Sequence, residues 1–116
     1  MKEAYVSFEI AILLQEKGFP IPSSKYEDWL YSMYDENGKI HWGMYDSNWY
    51  ARVTHQMALK WLREEKNIHI DFYYLPIHKK YMWSVIETKD PKGTGSKELY
   101  EDAVETAIKY CLENLI

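Results

Sequence analysis

The spacing of apolar residues along the chain predicts three helices. Residues 7–17 have a broad apolar face at helical spacing, and Ser7 is a good N-cap for them. Thr54 caps a second predicted helix over residues 55–66. A third helix is predicted from about residue 98 to 115, with acidic residues early in it and two adjacent apolar rows. The rows are Ala103, Ala107, Cys111 and Leu115, and Val104, Ile108 and Leu112.

A first β-hairpin is predicted over residues 29–45. The dipeptide Asn37-Gly38 favours a two-residue hairpin turn, because both of its residues accept positive φ. Such a turn pairs Glu36 with Lys39, and this register divides the side chains between two faces. The more apolar face is expected in the core and holds the pairs Asp35 with Ile40, Met33 with Trp42 and Tyr31 with Met44.

A second hairpin is predicted from alternating residues after the middle helix. Residues 68–75 alternate between an apolar face and a mixed face, and residues 81–88 return with the same alternation. Residues 46–53 and 89–97 have the polar, turn-rich composition of loops. The expected fold is therefore a single α+β domain over residues 1–116, in the order α-β-β-α-β-β-α. Its two hairpins form an antiparallel sheet packed against helices.

Composition narrows the function classes. The chain has 116 residues, 47% of them hydrophobic, which is enough for one core without disulfides or metals. The net charge of −4 argues against nucleic acid as a partner. One cysteine, Cys111, favours a reducing compartment. The first residues lack the pattern of a signal peptide, and the apolar runs are too short to span a bilayer, so we expect a cytoplasmic protein without membrane contact.

Side chains with catalytic potential are few. His69 and Asp71 lie two residues apart on one predicted strand face and form a weak polar pair that could share a proton or a metal; solvated strand residues often have this pattern. Cys111 lies in an apolar helix row, which favours burial over reactivity. The lysines and glycines of residues 89–97 do not match a phosphate-binding loop. We therefore expect no catalytic residues, no metal site and no cofactor.

A cluster of aromatic residues follows the first hairpin. It consists of Trp42, Tyr45, Trp49 and Tyr50, with Arg52 beside them. Two interpretations remain open for it. The aromatic rings can close the core beneath the loop, or they can form a groove in contact with a partner or with a stacked planar ligand.

Three segments carry a resemblance to a known group of proteins. They are VSFEIAILLQEKGF near the start, THQMALKWLREEKNIHIDFYY from Thr54, and LYEDAVETAIKYCLENLI at the end. In these segments the chain resembles small proteins of Bacteroides-like gut anaerobes and their phages, a family without an assigned activity. The resemblance covers most of the chain except about residues 22–50. In that family the last helix opens with Thr or Ser, where this chain has Leu99. The resemblance implies a bacterium or a mobile element as the source, and it carries over no functional residue.

Two functional hypotheses follow from these observations. The first is a non-enzymatic interaction or accessory protein that binds a partner protein or associates with itself through its aromatic surface. The alternative is a protein that binds and sequesters a small ligand or nucleotide with the aromatic cluster and Arg52.

Overall fold

The structure is a computed structural model that describes residues 4–20, 31–43, 46–87 and 89–116. Within these residues the helices are α1 (Phe8–Glu16), α2 (His55–Glu65) and α3 (Tyr100–Asn114). The strands are β1 (Tyr31–Tyr34), β2 (Ile40–Gly43), β3 (Tyr50–Ala51), β4 (Ile70–Leu75), β5 (Lys80–Val85) and β6 (Thr94–Lys97). The α+β class is confirmed, and the observed order is α-β-β-β-α-β-β-β-α. Each predicted hairpin gains a third strand, and the hairpins belong to separate antiparallel sheets.

Local signals set the ends of the helices. Ser7 and Thr54 each accept a hydrogen bond from the backbone N–H three residues further on, at 3.3 and 3.2 Å. Gly18, at φ 91°, and Asn67, at φ 54°, adopt the left-handed conformation just after α1 and α2. Leu99 precedes α3 without a side-chain capping bond. None of the helices in the described residues is long and apolar enough to cross a membrane.

The first sheet has the strand order β2-β1-β3, and its hairpin turn differs from the prediction. The backbone N–H of Asp35 donates to Lys39 at 2.9 Å, and Gly38, at φ 83°, donates to the Asp35 carbonyl at 3.0 Å. The loop therefore has three residues, and the predicted pairing of Glu36 with Lys39 is wrong. The cause is the Asp35 carboxylate, which accepts from the backbone N–H groups of Asn37 and Lys39 at 2.8 and 2.9 Å and stabilises the wider turn.

The register is shifted by one residue, so the side chains of β2 lie on the opposite face of the sheet from the one predicted. Met33 lies opposite His41, and Ser32 lies opposite Trp42. Met33 is buried as expected, but Trp42 is 58% exposed and Ile40 is 45% exposed, so both lie outside the core in which they were predicted.

A third strand of this sheet lies in the predicted loop 46–53. Tyr50 pairs with Tyr34, so β3 adds to the free edge of β1. Beside it, the backbone N–H of Val6 donates to the carbonyl of Val53 at 2.9 Å. The N-terminal segment therefore runs next to the end of β3 and leads directly into α1.

The second sheet has the strand order β4-β5-β6. The predicted hairpin is confirmed, with Phe72 opposite Trp83. The prediction of a loop over residues 89–97 is wrong for its last part, which forms β6. Thr94 donates from Oγ1 to the Trp83 carbonyl at 2.8 Å. A Cβ on Gly95 would lie 2.7 Å from Trp83 Nε1, so the glycine permits this close approach.

The core lies around α3, which contacts α1, α2 and all three strands of the second sheet. Both predicted rows of α3 are buried, except for Leu115, which is 39% exposed. Cys111 is fully buried, and burial raises the pKa of its thiol to about 12, as expected for a structural cysteine. The second sheet therefore packs on α3, and the first sheet reaches the helices through the contact of β3 with α1.

Candidate functional site

A groove of about 630 Å³ lies between α2 and the first sheet. This volume falls within the range of small-molecule sites in proteins. Its lining residues come from the N-terminal segment, the end of α1, all three strands of the first sheet and one side of α2. They are Tyr5, Phe19, Pro20, Ser32, Trp42, Ala51, Arg52, Val53, Thr54, Met57, Lys60, Trp61, Glu64 and Glu65.

Arg52 is a charged residue of the groove whose side chain is held by other residues. Its backbone N–H donates to the Ser32 carbonyl at 2.9 Å, and its Nη1 donates to Ser32 Oγ at 3.1 Å. The guanidinium carbon lies 3.9 Å from the centre of the Tyr5 ring, in a cation–π contact. Nε is buried and has no hydrogen-bond partner among the described residues. The side chain is thus held in place in the lining of the groove.

The remaining groove surface is mostly aromatic and aliphatic. Trp42 on β2 is 58% exposed, and Met57 on α2 is 51% exposed. Phe19 packs edge-on against Trp61, with ring centres 5.4 Å apart. Exposed tryptophan and methionine side chains beside a fixed arginine are typical of binding surfaces, because they supply apolar area that adapts to its ligand.

The structure separates the predicted aromatic cluster. Trp42 and Arg52 both line the groove. Trp49 instead stacks on the His41 ring at 4.4 Å. Tyr50 packs edge-on against Phe8 of α1, with ring centres 5.8 Å apart. Tyr45 lies outside the described residues.

Tyr50 therefore packs against the core, whereas Trp49 packs on the first hairpin. Trp42 and Arg52 have the placement that the binding interpretation needs. Phe19, Met57 and Trp61 were not expected beside them, because Met57 and Trp61 belong to α2 and Phe19 follows α1.

His69 and Asp71 lie at a second, smaller groove of about 270 Å³ between α2 and the start of β4. His69 Nε2 is hydrogen-bonded to Asn67 Oδ1 at 3.2 Å. Asp71 is exposed on β4, opposite Ser84. In the part of the chain that is described, no three histidine, cysteine or acidic side chains come together as metal ligands.

A histidine–carboxylate pair occurs at the first hairpin, where the sequence did not indicate one. His41 Nε2 lies 2.8 Å from Asp35 Oδ2, and this hydrogen bond is the main cause that lowers the pKa of Asp35. The backbone N–H of Lys39 lowers it further. Trp49 stacks on His41 and donates from Nε1 to Glu36 at 3.0 Å, so the hairpin also fixes the tryptophan. The predicted register placed His41 opposite Tyr34, which concealed the pair.

A second pair joins three distant segments. His55 Nε2 lies 2.9 Å from Glu105 Oε1, and the same carboxylate accepts from Ser7 N–H and Ser7 Oγ at 2.9 Å each. Burial raises the pKa of Glu105, but the hydrogen bonds from His55 and Ser7 outweigh it, so the pKa is lowered. No sequence signal connects residues so far apart. Neither histidine pair lines the large groove, and both hold parts of the fold together.

The comparisons with known proteins add no relative. No family model matches the chain, and no curated protein and no solved structure was found to be similar to it.

Proposed function

We propose that the chain is a non-enzymatic binding protein whose large groove takes a segment of a partner protein. The observation that carries the proposal is Arg52, a cation that Ser32 and Tyr5 hold in place in the lining of a groove rich in apolar side chains. An acidic side chain of a partner pairs with the guanidinium of Arg52, and a neighbouring apolar side chain packs against Trp42 and Met57.

The two histidine–carboxylate pairs support a binding role. His55 is buried with Glu105, and His41 is occupied by Asp35 and Trp49. Both histidines therefore make structural contacts outside the large groove, and the groove itself presents side chains suited to binding. A cytoplasmic location and a bacterial or phage source are further parts of the proposal; they rest on the single cysteine and on the sequence resemblance.

A small planar anion such as a nucleotide is the second candidate ligand. The observation in its favour is that Trp42 and Arg52 line the same groove, since an exposed indole and a guanidinium can hold a base and a phosphate.

Selection from a random peptide library displayed on phage tests the first proposal. We expect selected peptides to share an acidic residue next to an aromatic or aliphatic one. Arg52→Gln is expected to lose the acidic preference, and Met57→Ala is expected to weaken binding at least tenfold. Arg63→Gln is the matched control, because Arg63 is an exposed arginine of α2 outside this groove.

The result decides between the two ligands. Peptides that bind the wild type and Arg52→Gln equally well contradict the proposed site. Calorimetric titration with a nucleotide panel examines the second candidate, and binding of a nucleotide that is lost in Arg52→Gln, without any peptide selected, favours it over the first.

A further inference from the structure

The outer edge of β4 is an unusual surface for an exposed strand. It is six residues long, and in the described part of the chain only β5 pairs with it. It contains no proline or glycine and one charged residue, Asp71. By contrast, β6 at the other edge has four residues, including Gly95 and Lys97. Proteins normally protect edge strands by short length, proline or lysine, and β4 has none of these protections.

The register identifies which backbone groups of β4 point outward. The N–H of Ile86 donates to the His69 carbonyl at 2.9 Å. The backbone N–H and carbonyl groups of His69 and of every second residue after it therefore point toward β5. The outward groups therefore belong to Ile70, Phe72 and Tyr74. Each of these residues presents one N–H donor and one carbonyl acceptor.

We propose that β4 pairs antiparallel with β4 of a second copy of this chain, so that the two second sheets join into one six-stranded sheet. The two-fold axis passes at Phe72, which faces itself. Ile70 then lies opposite Tyr74 of the second copy, and Tyr74 lies opposite its Ile70. All three outward residues pair with outward residues, which gives six hydrogen bonds between the copies.

The side chains suit this register. On the exposed face of β4, Asp71 lies opposite Tyr73 of the second copy. The two Asp71 carboxylates therefore do not lie opposite each other and do not repel. The basic tips of the two hairpins, around His78, Lys79 and Lys80, point in opposite directions and stay apart.

The smaller groove gives the partner's side chain a place to pack. It lies beside Ile70 and Phe72 and is also lined by Leu59 and Ile68. Its volume of about 270 Å³ holds one aromatic side chain. Tyr74, 46% exposed in the single chain, lies opposite Ile70 of the second copy in the proposed register and fills the groove there.

Sedimentation velocity over a range of concentrations tests the pairing. We expect the wild-type chain to dimerise reversibly as its concentration rises. A wild-type chain that stays monomeric up to millimolar concentration overturns the proposal.

Charge variants test the register itself. Tyr73→Glu places a carboxylate opposite Asp71 of the second copy twice per dimer and is expected to weaken dimerisation at least tenfold. Tyr73→Lys places a cation there and is expected to preserve the dimer. The double variant Asp71→Lys with Tyr73→Glu places a lysine opposite a glutamate of the second copy and is expected to restore the dimer.

Ser96→Glu is the matched control, because it adds the same charge on β6 at the opposite edge of the sheet. Far-UV circular dichroism verifies that each variant is folded. If Tyr73→Glu dimerises as well as Ser96→Glu, the interface is not this edge. Hydrogen exchange provides an independent readout, in which the amides of Ile70, Phe72 and Tyr74 gain protection as the concentration rises. Protection that does not depend on concentration contradicts the pairing.

Discussion

Replacing Glu105 with glutamine is expected to lower the free energy of unfolding by about 2–4 kcal/mol. The carboxylate accepts three hydrogen bonds from Ser7 and His55, each at 2.9 Å. One amide oxygen cannot serve three donors, and the amide nitrogen adds donors where acceptors are needed. Losing about two charge-assisted bonds costs about 3–6 kcal/mol, and we reduce this because the Glu105 side chain is 24% exposed and water reaches it. His55, 6% exposed, cannot turn to water instead.

Urea unfolding followed by tryptophan fluorescence measures the change. With a denaturant slope of about 2 kcal/mol per molar urea, the unfolding midpoint of Glu105→Gln is expected about 1–2 M below that of the wild type. Glu113→Gln is the control, since Glu113 is exposed on the same helix, and its change is expected to stay within about 0.5 kcal/mol. An effect of Glu105→Gln no larger than that of the control refutes the reasoning.

The same variant has an expected pH dependence. Hydrogen bonds hold the pKa of Glu105 below its ordinary value of 4.5 in the folded chain. A carboxyl with a lowered folded-state pKa stabilises the fold fully above its unfolded pKa and loses that contribution as the pH falls through the folded pKa. The stability difference between wild type and Glu105→Gln is therefore expected to be constant near neutral pH and to shrink below about pH 4.5. A difference that is unchanged at pH 3 contradicts this account.

Three further predictions concern other parts of the fold. Gly95→Ala is expected to destabilise the chain by about 1–3 kcal/mol, because its Cβ would collide with the buried Trp83 ring; a melting temperature equal to that of the wild type would be inconsistent with this contact. Cys111 is expected to react with a thiol reagent at pH 8 only after denaturant is added, since burial raises the pKa of its thiol to about 12, and rapid labelling of the native chain argues against burial. In a carboxyl NMR titration, Asp35 is expected to titrate below the ordinary 3.8 in the wild type and closer to it in His41→Gln; equal midpoints exclude His41 as the cause.

The helices were predictable because their signals are local. Ser7 and Thr54 mark helix starts by the chemistry of their own side chains, and the apolar rows of α3 repeat at helical spacing. The first hairpin was located correctly, but its register depended on Asp35, whose carboxylate binds two backbone N–H groups and selects a three-residue loop. The dipeptide Asn37-Gly38 alone does not distinguish the two loops.

The short strands and most of the groove required tertiary information. The two residues of β3 show no alternation, and they are held by pairing with β1. The four residues of β6 include Gly95, which is a poor strand former until Trp83 lies against it. In the groove, Arg52 and Trp42 were predicted as neighbours along the chain, whereas Met57 reaches them only because α2 folds back over the first sheet.

The position of α3 has a consequence for how the chain acquires its structure. This helix follows all six strands in the sequence, yet it contacts both α1 and the second sheet. The bonds between Ser7 and Glu105 span 98 residues. A chain growing from its N-terminus therefore leaves the part of α1 that contacts α3 uncovered until α3 has been synthesised. We therefore expect the closure of a loop almost as long as the chain to slow folding.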